Sequence, residues 1–378
     1  MPVLQQGGVE VLVRTLIADA LPDDQIFLVS QDAPSELEAA GWLDRLAGHL
    51  PIPAGDISKS WTRELACWLK DHNIDVCHFH LAGTYDWNWK IRSLLNCPIT
   101  TVAKAGFPTV TTNHSATCFF AASRTFKPTW RNWAAAVKVW PGKARQLSAV
   151  SWEASVSQHD LAVSQRYFPV FHQKLIQVYH SRIDSTRLTT VPPPSKIVLN
   201  VATIAFHKGQ HLLVEAFAQI ADNFPEWQLK LVGYSAEKAC VERIQSVIRE
   251  GKLKSRVHLC GPDPDPTRFF EDAEIYVQPS LVEGLGLSLQ EAMFHGRACI
   301  GSSTGGIPEL IDNPAVGVLF PAGDIAALAK SLARLMADPV QRTRLGTAAR
   351  SSILERGMTR QAMSSNYRAL YFQAIHSR

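Results

Sequence analysis

Two glutamates, Glu283 and Glu291, stand on either side of the glycines Gly284 and Gly286 in the run Gln278 to Glu291, QPSLVEGLGLSLQE. The strand-like Ala273 to Val277 leads into this run, and a short helix carrying Glu291 follows it. In open α/β sheets ligands settle where strands end and helices begin. Glycines there let unpaired backbone N–H groups approach a phosphate at a helix N-terminus. Carboxylates repel phosphate, so this pair is better explained as accepting from hydroxyls on the two sugars that flank a diphosphate. The rival reading is local: Ser288-Leu289-Gln290-Glu291 also has the form of a capping box, in which Glu291 would only reach back to its own helix start.

Lys208, in Ala202 to Gly209 between a strand and a helix, is a point charge able to neutralise a diphosphate as a leaving group gains charge. Its rival reading is a solvated surface lysine. Gly7-Gly8 precede a helix and read either as a plain turn or as a close backbone approach to an anion. His80 and His114 end successive strand-like runs, where histidines either serve a site or are merely hydrogen bonded. Asp263-Pro264-Asp265 imitates a metal-binding Asp-x-Asp, but its prolines favour a rigid surface turn, and no essential metal is expected.

The run 278–310 closely resembles the donor-site signature of the retaining glycosyltransferases of family 4, with two glutamates bracketing Gly284 to Gln290 and Gly305-Gly306-Ile307-Pro308-Glu309 as the next loop. The resemblance implies that Glu283 binds hydroxyls of a donor hexose and Glu291 the ribose of its nucleotide. The backbone of Gly284, Leu285, Gly286 and Leu287 would hold the diphosphate. Gly7 and Gly8 would approach the donor phosphate, His114 would stabilise positive charge on the sugar ring, and His80 could line the acceptor side. Three departures stand out. Thr203 occupies the place of an arginine that usually accompanies Lys208, His180-Ser181-Arg182 replaces a usual Asn-Gly before Ile183-Asp184, and the buried strand that usually opens the first domain is missing before Gly7.

The elements that must position these residues alternate between strand-like and helix-like runs, the pattern of parallel sheets covered by helices. Gln25 to Ser30, Asp75 to His80 and Thr109 to Thr112 read as strands, with an amphipathic helix ending in Glu64 to Lys70. After the proline run at Thr189 to Pro194, strands at Lys196 to Val201, Gln228 to Val232, Val257 to Cys260, Glu274 to Val277 and Ala298 to Gly301 restart the same grammar. The expected fold is α/β, two Rossmann-like parallel-sheet domains facing across a cleft, which the resemblance identifies as GT-B. Residues 1–188 form an acceptor-binding domain without its first strand, 189–360 a nucleotide-sugar-binding domain, and 361–378 a helix crossing back to the first.

The 378 residues suit two cores, and 46% hydrophobic with 19% charged residues is a globular composition. A net charge of +4 gives no sign of nucleic-acid binding. The seven scattered cysteines read as reduced core residues. With no apolar run long enough to span a bilayer, the expected address is cytoplasmic. Residues 124–145 interleave Phe126, Trp130, Trp133 and Trp140 with Arg124, Lys127, Arg131, Lys138, Lys143 and Arg145, which suits either a peripheral contact with the membrane's inner face or ordinary packing on the sheet.

The expected activity is a metal-independent, retaining hexosyltransferase (a transferase of the EC 2.4 type) serving polysaccharide or glycolipid synthesis. Its partners are a nucleotide-diphosphate sugar and a carbohydrate or lipid-linked hydroxyl acceptor, with no cofactor beyond that co-substrate. The alternatives are a sugar-nucleotide epimerase or hydrolase on the same frame, or a catalytically degenerate subunit that only binds nucleotide sugar.

Overall fold

The computed structural model describes residues 8–53, 58–81, 97–114, 130–186 and 195–376. The chain divides into two units, Met1–His180 with Arg360–Arg378, and Ser181–Thr359. The change thus falls at 180/181 and 359/360, against the 188 and 360 expected. The proline run lies outside the described residues, as does Gly7.

The described strands of the first unit form two parallel sheets. β1 (Phe27–Ser30) pairs with β2 (Gly48–Pro51), and β3 (Cys77–Leu81), β4 (Thr109–Asn113), β5 (Trp152–Ser155) and β6 (Leu175–Gln177) lie side by side in that order. All five residues of β4, Thr-Val-Thr-Thr-Asn, are buried, as expected of a β-branched strand covered on both faces. On one side, helix Lys59–Asp71 starts at Ser58, whose hydroxyl accepts from Trp61 N at 3.1 Å. Its Trp61, Leu65 and Leu69, four residues apart, pack with Cys77 and Val102. Elsewhere in the unit, Met363, Tyr367, Leu370 and Ala374 form one stripe of the last helix, Arg360–His376, and share a core with Leu12, Val110, Ala154 and Val178. Ser364 and Arg368 of that helix also bond Asp19 (3.1 Å) and Asp24 (2.9 Å).

The second unit holds six parallel strands: β7 (Ile197–Val201), β8 (Gln228–Val232), β9 (Val257–Gly261), β10 (Ile275–Gln278), β11 (Ala298–Ser302) and β12 (Val318–Phe320). Their order across the sheet is β12-β11-β10-β7-β8-β9. Chain progress runs outward from β7 to β9 and then returns to the other side of β7 with β10. The order therefore reverses between β7 and β10, and loops leaving their carboxyl ends diverge to leave a crevice. Burial of Leu213, Phe217, Trp227, Leu231, Ile275, Ile300 and Leu332 fixes the sheet and its helices as one core.

Candidate functional site

Three loops of the second unit meet at the β7/β10 reversal. The first follows β7 and carries the short turn Phe206–Lys208. The second follows β10 and runs into helix Leu287–Phe294, and the third follows β11 and enters helix Ile307–Leu310. Backbone bonds lace them: Leu281 N to His207 O at 2.8 Å, and Gly306 N to Gly284 O at 3.1 Å. Ser302 Oγ adds a bond to Ser280 O at 2.6 Å.

Lys208 and Glu283 meet at the centre of this arrangement, with Nζ 3.1 Å from Oε1 and 3.0 Å from Oε2. Oε2 also accepts from Gln278 Nε2 at 3.0 Å and Ser280 Oγ at 2.9 Å. Gln278 is aimed in turn by the hydroxyl of Tyr276, which donates to its Oε1 at 2.6 Å; burial pushes that phenol's pKa well up and keeps it a donor. Three donors occupy Oε2, whereas Oε1 meets only Lys208 among the described residues. The open acceptor capacity for a ligand hydroxyl is on Oε1.

Gly286 caps the helix at φ 98°, a conformation open to glycine, and leaves the first N–H groups without intrahelical partners. Helix onset at Leu287 makes Ser288 an internal residue, so the capping-box reading of Ser288 to Glu291 does not hold. The Glu291 carboxylate bonds Arg182 instead. Gly284 and Leu285 are buried, and Leu285 is 3% exposed, so it can offer a ligand little beyond its backbone. Thr203 supplies no cation; its carbonyl accepts from Gln210 Nε2 at 3.0 Å.

The third loop is held against the second by Gly305, at φ 53°, where an added Cβ would lie 1.7 Å from the Glu283 carbonyl oxygen. Gly305→Ala is expected to lower the stability of this unit by about 2–4 kcal/mol, because the backbone under Glu283 must move. Urea unfolding checks it, and an unchanged midpoint would mean that these loops do not pack as described.

The first unit gathers four histidines where the sequence singled out two. His80 Nδ1 is 3.2 Å from His114 Nε2, the His80 ring lies 4.1 Å from that of His78, and the His114 ring 5.0 Å from that of His180. His78 bonds Tyr371 OH (2.6 Å) and Thr112 Oγ1 (2.7 Å), while Tyr367 OH joins Thr112 Oγ1 (2.7 Å) to His180 Nε2 (2.6 Å). Burial pushes the pKa of His80 down to about 4 and those of His78, His114 and His180 well below the usual range, with mutual repulsion adding to the shift in the last three. All four are neutral at pH 7, and a neutral imidazole can sit beside a developing positive charge where an imidazolium would repel it. The alternation of His78 and His80, two apart on β3, is the signal that would have found His78. Tyr367, 255 residues from Thr112, gives none.

Gly8 opens helix Gly8–Ala18 and is exposed. Asp263 and Asp265 are tied into their own turn, by Asp265 N and Arg268 to Asp263 and by Thr267 to Asp265, as the surface-turn reading requires. Among the described residues no group of three or more His, Cys, Asp or Glu could hold a metal ion. Within 124–145, Lys143 is 2% exposed, faces inward and pairs with the buried Glu153. Arg124, Phe126 and Lys127 lie outside the described residues, and Trp140 donates from Nε1 to Tyr167 O at 3.1 Å. No described helix is long and apolar enough to cross a membrane.

Residues 185–352 match the profile of the family "Glycosyl transferases group 1". Among curated proteins, the amylovoran biosynthesis glycosyltransferase AmsK of Erwinia amylovora is 33% identical over 146 residues, 36% of this chain and 35% of that protein. The N-acetyl-alpha-D-glucosaminyl L-malate synthase of Bacillus anthracis is 25% identical over 232 residues, 61% of this chain and 60% of the other. Less than two thirds of either relative is therefore spanned. Among solved structures, a glycosyltransferase of Rickettsia africae superposes with a TM-score of 0.75 at 16% identity, covering 100% of this chain and 98% of its own. Anabaena Alr3699/HepE in complex with UDP-glucose gives 0.74 at 17%, covering 99% and 97%. At such identities the structures speak for the fold alone, an α/β fold of two Rossmann-like units as in GT-B glycosyltransferases. The likeness to the group 1 profile lies within the second unit and spans less than half of the chain.

Proposed function

We propose that this chain is a retaining hexosyltransferase of the family 4 type, moving a hexose from a nucleotide-diphosphate sugar to a hydroxyl acceptor in cytoplasmic polysaccharide or glycolipid synthesis. The observation that carries the reading is the Lys208–Glu283 pair beside a glycine-capped helix N-terminus at the β7/β10 reversal. Backbone N–H groups of Gly284 to Leu287 and the positive end of the helix favour a diphosphate, and Lys208 offsets its growing charge as the glycosidic bond breaks. Glu283 Oε1 accepts from a hydroxyl of the hexose, and Glu291 takes the ribose. The departing phosphate oxygen accepts the proton of the acceptor hydroxyl while the new C–O bond forms on the same face of the sugar, so configuration is kept. His114, as a neutral imidazole, would stabilise positive charge on the ring, and His80, bonded to it, would serve the acceptor side.

Incubating the purified protein with UDP-, GDP- and ADP-hexoses, with and without a glycan and lipid extract, separates the readings. Acceptor-dependent release of nucleoside diphosphate with an α-linked product, undiminished by excess EDTA, is the expected outcome. Release without acceptor would point to a hydrolase or epimerase, and binding without turnover to a degenerate subunit.

A further inference from the structure

The second unit buries or half-buries several arginines, and most are tied to main-chain carbonyls. Arg256 bonds Trp227 O, Ala221 O and Phe224 O, and Arg342 bonds Leu335 O and Met336 O as well as Glu274. Such guanidiniums hold elements together. Arg182 differs. Its bond among the described residues runs from Nη2 to Glu291 Oε2, and its Nε–H is buried without a hydrogen-bond partner there.

The backbone around Arg182 is fixed from both sides. Ser181, fully buried, donates from Oγ to Met358 O at 2.9 Å and accepts from Ile183 N at 3.1 Å, and Ile183 is 3% exposed. The side chain therefore leaves from a rigid point and ends on a carboxylate one helical turn beyond the Gly286 cap. With 20% and 19% of the two side chains exposed, the pair is neither an open surface contact nor a sealed one. A ligand at the helix N-terminus would find the Arg182–Glu291 pair beside it.

We propose that Arg182 is a positioning residue for nucleoside recognition: it fixes the Glu291 carboxylate through Oε2, directs Oε1 at the ribose diol, and cancels a negative charge that would otherwise stand against the diphosphate. The inference rests on the reading of the Glu283–Glu291 loop as a nucleotide-sugar site. A carboxylate held by an arginine keeps one rotamer and loses its net charge, so it can accept from a sugar hydroxyl next to phosphate without the repulsion that an unpaired carboxylate would add.

Calorimetry with UDP, GDP and ADP, their 2′-deoxy and 3′-deoxy forms, and inorganic pyrophosphate tests this on the full chain. The wild type is expected to bind one ribonucleoside diphosphate and to prefer it over at least one deoxy form. Arg182→Gln should weaken the diphosphate by about 10- to 100-fold and abolish the ribose preference, while Arg182→Lys, which keeps the charge, recovers part of the loss. The double variant Arg182→Gln/Glu291→Gln, with both charges gone, should bind the diphosphate at least about fivefold more tightly than Arg182→Gln alone. Pyrophosphate affinity and the melting midpoint guard against a folding effect, and both should stay near wild type in Arg182→Gln/Glu291→Gln. If Arg182→Gln binds within twofold of wild type with the ribose preference intact, or the double variant binds no more tightly than Arg182→Gln alone, Arg182 does not act through Glu291. A wild-type protein that binds no nucleoside diphosphate overturns the donor-site reading and this inference with it.

Discussion

Glu283→Ala is expected to lower hexose transfer by about 10³-fold or more while the protein stays folded. The carboxylate is the meeting point of Lys208, Gln278 and Ser280, so its removal takes away the hexose contact and also releases three donors that now point at an empty volume. Lys208 suffers most, because its side chain, 22% exposed, loses its ion partner and its ammonium becomes free to collapse onto the diphosphate. The variant should therefore retain or even gain affinity for free nucleoside diphosphate while losing turnover of the sugar conjugate. Glu283→Gln keeps the shape and loses the charge, and should fall between the two. Single-turnover assays and calorimetry check both halves. Turnover of Glu283→Ala within a few-fold of wild type would remove Glu283 from the reaction.

Acidification should unfold the first unit through its histidines. His80 has a pKa of about 4 folded against 6.5 unfolded, so between those values the unfolded chain binds a proton that the folded one does not. Unfolding then takes up protons, and stability is complete above about pH 6.5 and lost as pH falls toward 4. His80 alone corresponds to at most ~3 kcal/mol, and less after discounting for its partial exposure. His78, His114 and His180 shift the same way and add to the loss. No carboxylate bonds any of the four among the described residues, and the Tyr367 and Tyr371 hydroxyls, their pKa values raised by burial, stay neutral and add no compensating charge. Urea titrations from pH 8 to 4 should show stability falling with pH, and His180→Gln should flatten that slope. A midpoint constant from pH 7 to 4.5 would contradict the burial of the cluster.

Much of the second unit was legible because its signals are local. Strand runs such as Ile197–Val201 and Ala298–Ser302 are short, apolar and bounded by turns, and the structure places strands within a residue or two of where the pattern puts them. The spacing of Glu283, Gly284, Gly286 and Glu291 names a corner whose geometry follows from its own backbone, with Gly286 at a positive φ. Local pattern also misleads: Ser288-x-x-Glu291 has the letters of a capping box, but the helix starts two residues too early for Ser288 to cap it.

The sequence by itself determined the alternation of strand and helix, the glycine-lined helix mouth and the two acids beside it, since each depends on residues within a few positions of one another. Tertiary structure alone decided which groups those acids meet. Lys208 reaches Glu283 across 75 residues, Arg182 reaches Glu291 across 109, and Tyr367 reaches Thr112 across 255. It also decided that Lys143 turns inward to Glu153 rather than outward. The physical reason is that such pairings follow from the order in which strands lie side by side, β10 next to β7 and β4 next to β5, and that order is fixed by packing of the whole core rather than by the conformational preferences of neighbouring residues.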